Sequence, residues 1–299
     1  MNIYNLKNIN YIIFYMYSDE YINLRYNKMN LMRHLFRIPF KLIFNLLRYA
    51  YQFFQLYPNS LKFSNKIIFF TVSKNNYEAL KRLYKPFINQ SLFLTNDYRL
   101  KNNQYVIPMV IPYLVSIILS PIIFFNVFKL NSSERKRFLL YFEEIIESIG
   151  YNYFIKYYLK YLRPRAIIFT NDHVFYSRSL ILKANEFRIP TFYMQHSAVT
   201  DIFPPMLGKY SMLDGIDSFN KYYPNQSLPN KNVALIGISK FDNYLKNYYL
   251  NNNNNNIQNI GIATTDSMDI KNIKLLIHML KKEFGANKLY FRAHPAEVQ

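Results

Sequence analysis

Short apolar runs alternate with longer helical runs along this chain, and that alternation constrains its fold more than any other feature. Lys66-Ile67-Ile68-Phe69-Phe70-Thr71-Val72 reads as a buried strand, followed by Ser73-Lys74-Asn75 and a helix through about Tyr84. Leu92–Thr95 reads as a second short strand. Ala166–Thr170, a helix over Val174–Phe187 and Thr191–Gln195 form a complete strand–helix–strand unit. Val233–Ile236 is a further strand, closed by Gly237. Another unit runs from strand Ile260–Ala263 through helix Asp269–Phe284 to strand Lys288–Phe291, with Asp266, Ser267 or Asp269 as its N-cap. Apolar runs of this length, separated by helices, pair in parallel through right-handed crossovers. The predicted class is α/β.

The remaining segments suggest the organisation. Residues 1–60 form a basic amphipathic extension, and 61–237 a Rossmann-like domain with an apolar insertion at 105–130. Asn131-Ser132-Ser133 caps a helix over 134–149, and a second helix over 151–162 ends before Pro164. Asp201–Asn230 reads as irregular. Residues 238–256 form a linker that includes the polar tract Asn251–Asn256, and 257–299 begin a second domain. Two strands and one helix bury too little surface to stand alone, so that domain is expected to be cut short or to lean on the first.

Two segments bear on membranes. From Pro39 to Tyr57 the pattern is helical, with Lys41, Asn45, Arg48, Gln52 and Gln55 on one narrow stripe and apolar or aromatic residues elsewhere. Such a helix suits a membrane interface, or equally a buried position against the domain core. Val106–Val127 is long enough to span a bilayer, but Pro108, Pro112 and Pro121 interrupt it. A re-entrant or surface-lying hairpin, or a buried segment, is preferred to a span. No short apolar core with a small-residue cleavage site occurs in residues 1–60, so no signal peptide is expected.

Composition excludes several chemistries. With no cysteine there is no disulfide, thiolate nucleophile or Cys-ligated metal site. The 6 glycines are too far apart for G-x-G-x-x-G or a P-loop. No H-E-x-x-H pair occurs; a histidine-only zinc site is left open without sequence support, and no metal site is expected. The net charge of +19 points to an anionic partner, although heavy use of Asn, Lys, Ile, Tyr and Phe without Trp also reflects a compositional bias. Basic residues interleaved with aromatics in an ordered nucleic-acid motif are not found, so nucleic acid is not expected as the partner.

In open parallel sheets, ligands bind beyond the carboxyl ends of the strands. That rule selects Ser73, Lys74 and Asn75; then Asn171, Asp172 and His173; then His196, Ser197 and Ala198. In the second unit it selects Thr264, Thr265 and Asp266, followed by Arg292, His294 and Pro295. Asp172 and His173 are candidates for catalysis, with an N-cap as the alternative use of Asp172. His196 is a candidate general base, because a neutral imidazole titrates near working pH. Arg292 and His294, on a loop stiffened by Pro295, suit a diphosphate leaving group that gains charge in the transition state. Lys240 and Asp242 read as hinge residues, and His34 and His278 as structural.

Gln195-His196, then Gly237-Ile238-Ser239-Lys240-Phe241-Asp242, then Arg292-Ala293-His294-Pro295 occur in order. This ordered set resembles the bacterial surface-polysaccharide transferases of GT-B architecture: capsule polysaccharide transferases, polysialyltransferase-like enzymes and CDP-glycerol glycerophosphotransferases. The resemblance covers roughly residues 66–299. It implies two Rossmann-like domains facing a cleft, with His196 on the acceptor side and residues 237–242 as the hinge. It further implies Arg292 and His294, in a motif closed by Pro295, at the donor phosphates, to which the strand-end rule adds Thr264 and Thr265 as donor contacts. Ser197 stands where the families usually have glycine and Ser239 where they have proline. The stretch that completes the families' nucleotide pocket after the His-Pro motif is missing.

The resemblance implies transfer of a sugar or polyol phosphate from a CMP-, CDP- or UDP-linked donor to a glycan or lipid-linked acceptor, without a further cofactor. The expected location is peripheral, on the cytoplasmic face of the bacterial inner membrane, against an anionic surface. Two alternatives are a truncated, inactive partner of a full-length transferase and a sugar-nucleotide epimerase of similar architecture.

Overall fold

The computed structural model describes residues 23, 26–55, 64–101, 104–127, 130–199, 206–238, 259–263, 270–284 and 288–292. The chain divides into two compact units, 1–240 and 241–299.

The first unit is built on a seven-stranded, all-parallel sheet: β1 (Ile67–Thr71), β2 (Ser91–Thr95), β3 (Tyr105–Val106), β4 (Ala166–Phe169), β5 (Thr191–Met194), β6 (Tyr210–Leu213) and β7 (Val233–Leu235). Their order is β3-β2-β1-β4-β5-β6-β7. The chain moves outward from β1 to β3, then returns to place β4 beside β1 in register, with Ile67 opposite Ala166 and Phe70 opposite Phe169. The order therefore reverses between β1 and β4, and a crevice opens at the carboxyl ends of such a pair.

Alternation along the strands explains the layers. Ile68, Phe70, Leu92, Leu94, Ile167, Phe169 and Tyr193 point to one face and form the main core. Phe69, Phe93, Ile168 and Met194 point to the other face, where they meet Leu80 of helix α2 (Lys74–Tyr84). Both sides of these strands are apolar, as parallel strands covered on two faces require.

The main core is covered by helices. α1 (Leu31–Gln55) packs on α3 (Val110–Val127), and both pack on α5 (Phe142–Leu162). α4 is Ser132–Leu140, α6 is Phe175–Glu186 and α7 is Ile216–Tyr222. Among the described residues, no helix is long and apolar enough to cross a membrane.

Several expectations are corrected. The break between the two helices expected at 134–149 and 151–162 lies at Tyr141, and Gly150 sits inside α5. A Cβ on Gly150 would lie 2.0 Å from the Pro112 carbonyl oxygen and 2.0 Å from Ser116 Oγ, so glycine there permits α3 and α5 to touch. The helix read from Pro39 begins at Leu31 and runs through that proline. The apolar stretch forms edge strand β3 and helix α3 rather than a hairpin or a span, and of the readings left open the buried segment agrees with it, since α3 packs on α5 with Tyr113 and Ser116 buried. The region 201–230 is not all irregular, since it contains β6 and α7.

The second unit contains β8 (Asn259–Ala263), α8 (Ile270–Phe284) and β9 (Lys288–Arg292). The two strands pair in parallel, with Ala263 opposite Arg292.

Candidate functional site

The carboxyl ends of β1, β4 and β5 are consecutive in the sheet, so whatever follows them converges. After β1 the chain turns into α2, with Ser73 as N-cap accepting from the Asn76 backbone N–H at 3.3 Å. Lys74 and Asn75, selected from sequence, are exposed. Asn76, one residue further, is buried and enters the crevice. Its Oδ1 accepts from the Val72 N–H at 3.3 Å, and its Nδ2 lies 3.2 Å from His196 Nε2. The first bond fixes which end of the amide is oxygen. With that orientation the amide nitrogen donates and His196 Nε2 accepts, which places the ring proton of a neutral imidazole on Nδ1.

After β4 the chain delivers Asn171, Asp172 and His173. Asn171 Oδ1 accepts from the His173 N–H at 2.8 Å, forming the local turn. Asp172 is not the N-cap of α6; Val174 is, without a side-chain cap. The Asp172 carboxylate is instead fully buried, with Oδ1 3.1 Å from His173 Nδ1. Among the described residues, no donor makes a well-formed hydrogen bond to either carboxylate oxygen.

Burial dominates the electrostatics. It lifts the Asp172 carboxyl to about 6, against the opposing pull of the Arg178 guanidinium. It lowers His173 to about 4, helped by the nearby His196 and Arg178. Above pH 6 the pair is thus a carboxylate beside a neutral imidazole. A proton taken by His173 would be stabilised by a carboxylate already in place and already desolvated.

Sequence reasoning assigned no site role to three residues here. Arg178, one turn into α6, is fully buried and donates from Nη1 to the Asp172 carbonyl oxygen at 3.0 Å. Gln195 clamps the loop that carries His196: its Nε2 donates to the Ser197 carbonyl at 2.9 Å and to Ser218 Oγ at 2.8 Å, and its Oε1 accepts from the Asp214 N–H at 2.9 Å. Asn76 is the third. Only Gln195 had a sequence signal, its place before His196. The other two take their roles from the fold.

His173 and His196 are therefore brought together at the point where the strand order reverses, with Asp172 behind them. Ser197 and Ala198 are exposed or nearly so on the loop that follows. In the second unit Arg292 closes β9, whereas Thr264, Thr265, Asp266, His294 and Pro295 lie outside the described residues, as do Lys240 and Asp242. Among the described residues, no group of three or more histidine or acidic side chains is placed to hold a metal ion. An open hollow of about 390 Å3 lined by Leu159, Lys160, Arg163, Pro164, Phe187 and Ile189 lies before β4 and β5, at the amino ends of the strands and away from the imidazoles. No protein-family model matches the chain, and a search of curated proteins finds no relative.

Proposed function

We propose that the chain is a GT-B-type transferase, moving a sugar or polyol phosphate from a nucleotide-activated donor to a surface glycan. The observation that supports this reading is the meeting of His173, His196 and Asp172 at the β1/β4 switch point, where an open parallel sheet receives its ligand.

Transfer requires an acceptor hydroxyl to lose its proton as it attacks the donor. In this reading His173 takes that proton, and the buried Asp172 carboxylate stabilises the imidazolium that forms. His196 contacts the acceptor and exchanges its Asn76 partner for the incoming hydroxyl. In the same reading Arg292 and His294 bind the donor phosphates on a loop stiffened by Pro295, Thr264 and Thr265 are further donor contacts, and the donor is a cytidine or uridine nucleotide. No cofactor beyond the donor is invoked.

The test is release of CMP, CDP or UDP from the corresponding activated donors, with wild type, His173→Ala and His196→Ala. Loss of a positioned acid–base group should lower turnover roughly 100-fold or more. Activity of the wild type should fall as Asp172 takes up its proton below about pH 6. Absence of nucleotide release with every donor, or equal release by all three proteins, overturns the reading.

A further inference from the structure

We propose that α1 is a docking face for an anionic lipid bilayer. The inference rests on exposed side chains of the helix layer and is independent of the transferase reading.

The arrangement around α1 is unusual for a helix that packs on a core. Ile38 and Tyr49 are buried and Leu42 is half-buried against the domain. Yet Phe36, Phe40, Ile43, Phe44, Leu47 and Phe54 are all more than half exposed, with Phe54 at 86%. At 100° per residue these six fall within about 100° of arc, so they form one continuous stripe along the helix. Single exposed apolar residues need no explanation, but a contiguous stripe of large ones marks a surface that something covers.

Charge identifies the occupant. Arg37, Lys41 and Arg48 are exposed and lie along one border of the stripe, with Arg33 on the first turn. Lys41 also pairs with Glu143 of α5 at 2.8 Å, which leaves the arginines as the principal cations of that border. α1 contains no acidic residue. An apolar stripe bordered by cations fits a helix lying in the plane of a membrane, its rings among the acyl chains and its cations at anionic headgroups. A second copy of the chain is a poorer fit, because pairing α1 with itself brings like cations together with no acid on the helix to offset them. α3, packed on α1, carries its own exposed row of Ile111, Leu114 and Ile118. The contact is an in-plane one, since Ile38 and Tyr49 keep the opposite side of α1 on the domain.

The experiment is co-flotation of the full chain with vesicles of phosphatidylcholine, alone or mixed with phosphatidylglycerol. Wild type should float with the mixed vesicles and far less with the neutral ones, and added salt should release it. Arg33→Gln with Arg37→Gln should weaken binding roughly tenfold or more. Phe40→Asp with Phe44→Asp should abolish it while leaving the unfolding transition in place, since both side chains are already in water. The chain has no tryptophan, so Phe44→Trp supplies a single indole on the face. Its emission should shift to the blue on mixed vesicles and be quenched by brominated acyl chains. Equal flotation with neutral vesicles, an unshifted indole emission from the Phe44→Trp variant, or a dimer that Phe44→Asp dissociates without any vesicle binding would each overturn the proposal.

Discussion

The amide nitrogen of Asn76 lies 3.2 Å from Nε2 of His196, joining the first turn of α2 to the loop after β5. Because Oδ1 of the same amide is held by the Val72 N–H, the contact works in one direction and selects one imidazole tautomer. Nitrogen-15 spectra should show the neutral form of His196 protonated on Nδ1. Asn76→Leu should shift that pattern toward a mixture of tautomers. It should also cost about 1–3 kcal/mol, since it leaves a buried N–H and an imidazole nitrogen without their partner. A His196 protonated on Nε2 in the wild type would contradict the geometry.

Asp172 and His173 push stability in opposite directions over the same pH range. Asp172 is raised from 3.8 to about 6, so the native state keeps a proton that the unfolded chain has released. Its contribution is present below 3.8 and lost as pH rises through about 6. His173 is lowered from 6.5 to about 4, so its contribution is present above 6.5 and lost as pH falls through about 4. Each limb is worth about 3 kcal/mol, and together they nearly cancel. Asp172→Asn removes the first limb. The variant should therefore gain about 3 kcal/mol relative to wild type between pH 4 and pH 7, as read from urea unfolding at each pH. Parallel profiles for the two proteins would show that the Asp172 charge is not buried at a cost.

The strands read most directly from sequence are β1 and β4, rich in Ile and Phe, where both faces of the sheet are covered and the apolar run is continuous. β6 is not legible in this way because its buried Ser211 looks like a loop residue; its hydroxyl is paired with the Tyr223 hydroxyl at 2.9 Å, a contact invisible in the linear order. Gly150 misleads for a related reason. It resembles a helix breaker but serves a helix crossing, and the actual break at Tyr141 has no glycine or proline. Within the site, Asp172, His173 and His196 follow directly from the strand-end rule. Asn76 and Arg178 do not, since each lies inside a helix and becomes a site residue only once β1, β4 and β5 stand side by side.

The Gly150 crossing gives a sharp stability test. Gly150→Ala should stabilise α5 on helix propensity alone, by about 1 kcal/mol. In the folded protein the new methyl meets a backbone carbonyl that cannot rotate away, with Ser116 Oγ equally close. Packing should dominate, giving a net loss of about 2–3 kcal/mol. Thermal unfolding of Gly150→Ala and of the double variant Gly150→Ala/Ser116→Ala separates the two obstacles. The Pro112 carbonyl remains, so the second change should recover only part of the loss. A Gly150→Ala protein as stable as wild type would mean that α3 and α5 do not touch here.

A second, half-buried carboxyl ties the outer helix α1 to the helix that follows Asp172 and His173. Glu147 Oε1 accepts from Tyr49 on α1 at 2.5 Å and from Tyr176 on the first turn of α6 at 2.6 Å. Burial raises the Glu147 carboxyl, while the two phenol hydrogen bonds and Arg48 oppose the rise. A raised carboxyl contributes stability in acid that is lost as pH climbs through its folded value. Glu147→Gln keeps an acceptor oxygen and removes the charge, so its advantage over wild type should grow from acid toward neutral pH. Tyr49→Phe and Tyr176→Phe should each cost about 1.5–3 kcal/mol, because each deletes a hydrogen bond to a charged group. Both phenols share one oxygen, so their losses should not add, and a double-mutant cycle should show a coupling of about 0.5 kcal/mol or more. Simple additivity would mean that Tyr49 and Tyr176 act separately and that α1 is not linked to α6 through this carboxylate.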